Sequence, residues 1–190
     1  MRIIAGAKRG MKLLSPKGDV SRPITDRVKE SLFSVLYKYD LPADKMAADL
    51  FCGVGSLGIE SLSRGARFIT FVEKDPKIIA VLKKNIEKAG FTKESKIIRA
   101  DAFKIGALVN ERKYDLVFVD PPYLATEDVG RSSRLSGLLD LLGDQSADNG
   151  FVVVRTHRRT ELLQQYGRFK VIERRPWGTM AVTILQRVAE

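Results

Sequence analysis

From residue 45 onward, short unbroken apolar runs alternate with longer stretches in which apolar side chains return every three or four residues. Continuous runs suit strands buried on both faces, and the longer period suits helices with one covered face. The runs at 46–51, 68–72, 96–99, 114–119 and 151–154 are predicted strands, and 56–64, 76–89, 102–110 and 135–142 are predicted helices. Pro76 in the first turn of the second helix and Gly90 just past its end punctuate it as expected. This alternation predicts an α/β fold, a doubly wound and mostly parallel sheet covered by helices. The rhythm breaks at 169–173 and 180–185, two strands joined by a short turn. They predict an antiparallel C-terminal hairpin and seven strands in all.

The first 44 residues follow another pattern. Ile3-Ile4 and Leu13-Leu14 flank a glycine-rich basic middle, Gly6 to Gly10, which predicts a small hairpin. Val28, Leu32, Phe33, Val35 and Leu36 then mark one face of a helix over 26–39, with Lys29 and Glu30 on the opposite, polar face. The expected organisation is an extension over 1–44 and a main domain over 45–190.

Composition narrows the function classes. Cys52 is the only cysteine of 190 residues, which excludes an intramolecular disulfide, a CxxC pair and a cysteine-rich zinc site, and fits a reducing, cytoplasmic setting. No apolar run is long enough to span a bilayer, so no membrane association is expected. The formal charge of +10 favours a polyanionic partner. Residues 1–18 carry five basic side chains, including Arg2, Lys8 and Arg9, and no acid. Residues 155–175 carry seven, Arg155, Arg158, Arg159, Arg168, Lys170, Arg174 and Arg175, against Glu161 and Glu173. Both segments are candidate phosphate contacts.

Gly53-Val54-Gly55-Ser56-Leu57-Gly58 satisfies GxGxxG between a predicted strand and helix, where backbone can approach a ligand closely. Alone it suits NAD, FAD or S-adenosylmethionine equally. Asp49 within the preceding strand is a candidate acceptor for an ammonium, and Asp49-Leu50-Phe51-Cys52-Gly53 resembles the first motif of the class I methyltransferases. Glu73 ends the second strand, where a carboxylate can accept from ribose hydroxyls. Asp101-Ala102 after the third strand resembles the adenine-binding position of the same enzymes.

Asp120-Pro121-Pro122-Tyr123 follows the fourth strand at the sheet's carboxyl end, where ligands of this architecture bind. A base amine is a poor nucleophile because its lone pair is delocalised into the ring. Asp120 and the carbonyl of Pro121 are acceptors that can hold its N–H bonds. The paired prolines stiffen the turn, and Tyr123 offers a stacking face for an extruded base. No metal is required. Cys52 reads as packing, and His157, without companions for a metal site, as a surface or RNA-contacting residue.

With its N-terminal segment included, the chain resembles the bacterial RsmD family, which makes N2-methylguanine in 16S ribosomal RNA. The likeness rests on Arg2-Ile3-Ile4-Ala5-Gly6 with Arg9-Gly10, on Arg22-Pro23-Ile24-Thr25-Asp26-Arg27 through Phe33, on Asp49 to Ala66, and on the tetrapeptide. Ile24 stands where Thr is common, and Tyr123 where Phe is frequent. The resemblance implies S-adenosylmethionine as cofactor, bound by Asp49, Phe51, Gly53, Gly55, Glu73, Asp101 and Ala102. It also implies a monomer acting on 16S rRNA, free or within the small subunit or an assembly intermediate. The hairpin and first helix would gather RNA beside the pocket through Arg2, Lys8, Arg9, Arg22, Thr25 and Arg27. A polar loop over 127–136, with Arg131 and Arg134, is a candidate lid. Alternatives stay open: a DNA adenine-N6 methyltransferase, although only 64 residues separate Gly55 from Asp120 and leave no room for a DNA-reading insertion; a glutamine-modifying protein methyltransferase; a nicotinamide oxidoreductase; and a silent RNA-binding factor.

Overall fold

The computed structural model describes residues 1–16, 24–108 and 113–188. Eight strands, β1 (Met46–Leu50), β2 (Phe68–Glu73), β3 (Ser95–Arg99), β4 (Tyr114–Val119), β5 (Ser146–His157), β6 (Gln165–Tyr166), β7 (Phe169–Trp177) and β8 (Met180–Arg187), form one sheet. Their order is β3-β2-β1-β4-β5-β8-β7-β6. The first five are parallel, and β8, β7 and β6 close the far edge antiparallel. The seven expected strands are joined by the two-residue β6, too short to leave a periodic trace. The helices are α1 (Asp26–Leu36), α2 (Ser56–Ser63), α3 (Pro76–Ala89), α4 (Ala102–Ile105) and α5 (Arg134–Gln145).

Strand order reverses between β1 and β4, and that reversal opens a crevice at their carboxyl ends. Side chains of β4 alternate across the sheet: Leu116 and Phe118 join a core with Ile3, Leu32, Phe33, Ile59 and Leu82, whereas Val117 and Val119 join one with Leu135, Leu138 and Leu142. The N-terminal hairpin and α1 therefore share a core with α2 and α3 on one face, while α4 and α5 cover the other.

The hairpin forms around a single antiparallel bridge, Arg2 to Lys12. Its tip rests on the last turn of α2: Ala7 N–H donates to the Ser63 carbonyl at 2.7 Å and Lys8 N–H to Ser63 Oγ at 2.9 Å. Gly6 is required there, because a Cβ would lie 1.7 Å from the Ser63 carbonyl oxygen.

Three expectations change. Lys29 is fully buried instead of solvated, since its ammonium donates to the Arg2 carbonyl at 2.7 Å and pairs with buried Glu60 of α2 at 3.3 Å. α4 stops at Ile105, where Gly106 turns away with φ 61° and ψ −133°; its expected end at Asn110 lies outside the described residues. β5 starts at Ser146, directly after α5, and spans a register shift against β4.

Candidate active site

The crevice holds a cavity of ≈ 480 Å³, within the range of small-molecule sites. The β1–α2 turn forms its floor. Gly55 adopts φ 86°, and a Cβ on it would come within 2.5 Å of Leu82 Cδ1. Gly53 has φ 54° with open space where a Cβ would stand, so backbone alone faces the cavity there. Phe51 also takes a positive φ of 57°, costly for a side-chain-bearing residue. Its ring packs on Phe103 at 4.7 Å, so the strain aims an aromatic pair into the cavity.

Four predicted carboxylates line this one space. Asp49 Oδ2 accepts from Gly58 N–H at 2.8 Å near the start of α2. Burial pushes its carboxyl well above the usual range against the pull of that hydrogen bond, and the neighbouring Asp120 and Glu73 charges push it further. Glu73 accepts from the backbone N–H groups of Gly53, Lys74 and Asp75 at 3.1, 2.8 and 3.0 Å. Asp101 caps α4 through Phe103 N–H at 3.0 Å, and Ala102 begins that helix. Arg134, the first residue of α5, lies 4.1 Å over the Phe103 ring and 3.7 Å from Asp101 Oδ2. Of the two arginines placed in the expected lid, this one stands at the Asp101 end of the cavity.

Asp120 is held from two sides. Its N–H reaches the Leu50 carbonyl of β1 at 3.4 Å, and its Oδ1 accepts from Arg155 Nε of β5 at 2.5 Å. The pair is mostly covered, with side chains 19 % and 14 % exposed. Burial raises the Asp120 carboxyl, and the Arg155 guanidinium opposes the shift. Pro122's carbonyl accepts from Ala125 N–H at 2.9 Å, whereas Pro121's accepts no hydrogen bond among the described residues. Pro121 lines the cavity. Tyr123 starts a 3-10 turn, its ring edge to face with His157 at 5.8 Å and 82°.

Two residues make contacts that the sequence does not show. Arg155 is one of the seven candidate phosphate contacts, yet it is a mostly covered partner of Asp120; the parallel register of Val119 with Val154 sets the two side by side. His157 sits against Tyr123 for the same reason, one turn of the pleat further along β5. Cys52 is buried with its thiol pushed well up by desolvation, in keeping with packing.

The candidate RNA contacts separate. Thr25 caps α1 at the cavity's side, next to Ile24, which lines it, and Arg27 is exposed in that helix's first turn. Arg2 pairs with Asp26 at 2.7 Å while staying exposed. Lys8 and Arg9 are elsewhere: Lys8 Nζ lies 5.8 Å over the Phe91 ring, beyond the far end of α3. That helix starts at the cavity and is about 21 Å long, so the hairpin tip does not stand beside the pocket. Arg22 lies outside the described residues. The C-terminal arginines are largely engaged within the chain, Arg158 with the Gly178 carbonyl, Arg168 with Asp144, Arg174 with the Arg158 and Thr160 carbonyls and Arg175 with Glu173.

A family model described as "Conserved hypothetical protein 95" matches residues 1–186. The chain belongs to this family. It is 34% identical to YlbH of Bacillus subtilis over 191 residues, covering 98% of this chain and 99% of the relative. To the Ribosomal RNA small subunit methyltransferase D of Escherichia coli it is 32% identical over 194 residues, covering 100% and 91%. The solved structure of Escherichia coli yhhF aligns with a TM-score of 0.82 at 31% identity, covering 100% of this chain and 99% of that one. The fold is that of the class I methyltransferases.

Proposed function

We propose that the protein moves a methyl group from S-adenosylmethionine to the exocyclic N2 amine of a guanine in 16S ribosomal RNA, presented by the small subunit or an assembly intermediate. The observation that carries the cofactor is a charge inversion. Among the described residues the cavity is lined by Asp49, Glu73, Asp75, Asp101 and Asp120 against Lys74, Arg134 and Arg155, a net negative lining in a chain of charge +10. A ligand with a sulfonium and an ammonium suits such a lining. A dinucleotide pyrophosphate does not, which sets the nicotinamide alternative aside.

When bound, S-adenosylmethionine supplies an electrophilic methyl group. Asp49 is the residue to hold the ammonium. Gly53 and Gly55 let backbone approach, Phe51 packs alongside, and Asp101 with the Ala102 N–H is placed for the adenine. Glu73 has three of its roughly four acceptor sites already filled by backbone N–H groups, leaving capacity for about one further donor from the ribose.

The chain's own chemistry is positioning. Asp120, fixed by Arg155, and the carbonyl of Pro121 accept the two N–H bonds of the target amine and so turn its lone pair toward the methyl group. The Asp120 charge also stabilises the positive charge that grows on the nitrogen. Tyr123, braced by His157, offers a stacking face worth about 1–3 kcal/mol per base. Ribosomal RNA rests on the likeness to the curated relatives, and guanine on the resemblance of the N-terminal segment to the RsmD family, because the tetrapeptide serves any planar amine. Ribosomal RNA, free and in small subunits lacking the modification, should yield labelled N2-methylguanine when incubated with labelled S-adenosylmethionine and digested for mass spectrometry. Label confined to DNA or protein overturns the reading.

A further inference from the structure

The positive charge that remains open to a partner is concentrated in the middle of the chain. Between residues 74 and 99 stand eight basic residues and three acidic ones, half of the formal surplus of +10. They map to α3 and the β3 edge beside it. Lys77, Lys84 and Lys88 are seven and four residues apart and therefore share one face of α3. All three are exposed, and none forms an ion pair with an acid among the described residues.

The stripe has two defined ends. At the start of α3, Lys74 and Asp75 line the cavity. At the other end, Lys88 Nζ donates to the Lys12 carbonyl at 2.7 Å, and Lys8 lies over Phe91. The return strand of the hairpin runs back along the helix between these ends: Leu14 N–H donates to Asn85 Oδ1 at 2.7 Å, and Pro16 lines the cavity. Helix and hairpin thus build one continuous basic surface from the cavity mouth to the tip.

Resting on the rRNA reading above, we propose that this surface is a phosphate track. The sugar-phosphate backbone adjoining the target base runs along α3, over Lys74, Lys77, Lys84 and Lys88, and ends against Lys12, Lys8 and Arg9 at the hairpin tip. This gives the tip a role: it anchors RNA at the far end of α3, a helix about 21 Å long, and fixes the direction in which the strand leaves the cavity. Edge-strand protection accounts for Lys96 on β3, but it does not account for lysines aligned on a packed helix.

The test is the salt dependence of RNA binding by the full chain, using a 16S rRNA fragment that the wild type methylates. Lys77→Gln/Lys84→Gln removes two track charges that, among the described residues, neither line the cavity nor hydrogen-bond the hairpin through their side chains. Lys38→Gln/Lys113→Gln removes two exposed charges elsewhere. The track variant should reduce the slope of log K against log salt by roughly 1.5 to 2, with the control variant at the wild-type slope and S-adenosylmethionine affinity by calorimetry unchanged in both. A track variant with the wild-type slope, or a control that loses as much, overturns the track while leaving the rRNA reading intact. A wild type that methylates no 16S rRNA fragment overturns both.

Discussion

Asp120 and Arg155 show how a single side chain resets the chemistry of a motif. A carboxylate can hold an amine only in its ionised form, and burial at the end of β4 works against ionisation. Arg155 restores part of the balance. Arg155→Gln leaves burial unopposed, so Asp120 takes up its proton at higher pH, and the acidic limb of the kcat/KM profile should move upward. Arg155→Lys should return part of that shift. A uniform loss of rate with no movement of the limb would reduce Arg155 to a packing role. Asp120→Ala should lower kcat by about 10²–10³ while S-adenosylmethionine still binds in calorimetry; full turnover by that variant would remove Asp120 from the mechanism. Stability follows from the same shifts. Asp49 and Asp120 have folded-state carboxyls raised above their unfolded values, so the native chain binds more protons than the unfolded one. Their contribution to stability is present below the unfolded carboxylate range and is lost as pH rises through the raised values. The tetrapeptide was legible because its residue types sit together in sequence. Arg155 was not, because its neighbour across the sheet is 35 positions away and only strand register brings them together.

At the level of elements, hydrophobic period predicted nearly every strand and helix, since buried parallel strands and amphipathic helices differ in their spacing of apolar residues. The errors have particular causes. A lysine on the second turn of α1 looks solvated in any one-dimensional reading, and Lys29 is buried only because Glu60 arrives from α2. Glu60 is the hub of that junction: it accepts from Ile4 N–H at 2.8 Å, Ala5 N–H at 3.0 Å and Arg64 Nε at 2.8 Å, besides pairing with Lys29. Glu60→Gln removes the charge that both cations face and one of two acceptor oxygens, and should cost about 3–5 kcal/mol. For a chain of this size that lowers Tm by roughly 6–20 °C. Lys29→Met should cost less, because Glu60 keeps Arg64 and both backbone donors. Thermal unfolding of the two variants orders them; the reverse order would place the hub on Lys29.

Across the whole molecule, charge is sorted so that the two substrates meet surfaces of opposite sign. The exterior over α3 and the hairpin is basic, whereas the crevice at the β1–β4 switch is acidic. Sequence shows the total but not the sorting, since the five cavity carboxylates are spread from residue 49 to 120 and converge only in the folded sheet. The sorting predicts which nucleotide cofactor the crevice accepts. A ligand that binds only the folded state at a hundred times its Kd adds about 2.7 kcal/mol, which for 150–250 residues corresponds to a rise in Tm of roughly 5–11 °C. S-adenosylmethionine should produce a shift of that size, and NADH, whose pyrophosphate would enter among five carboxylates, should produce none at the same concentration. Affinity for the cationic ligand should also rise with pH across the window in which Asp49 ionises, the direction opposite to the stability of the unliganded chain, because the ammonium favours the ionised form that burial disfavours. Calorimetry in buffers of different ionisation enthalpy reads the released proton directly. A binding event that releases no proton at a pH below the Asp49 transition would separate Asp49 from the ammonium and leave the selectivity to the remaining carboxylates.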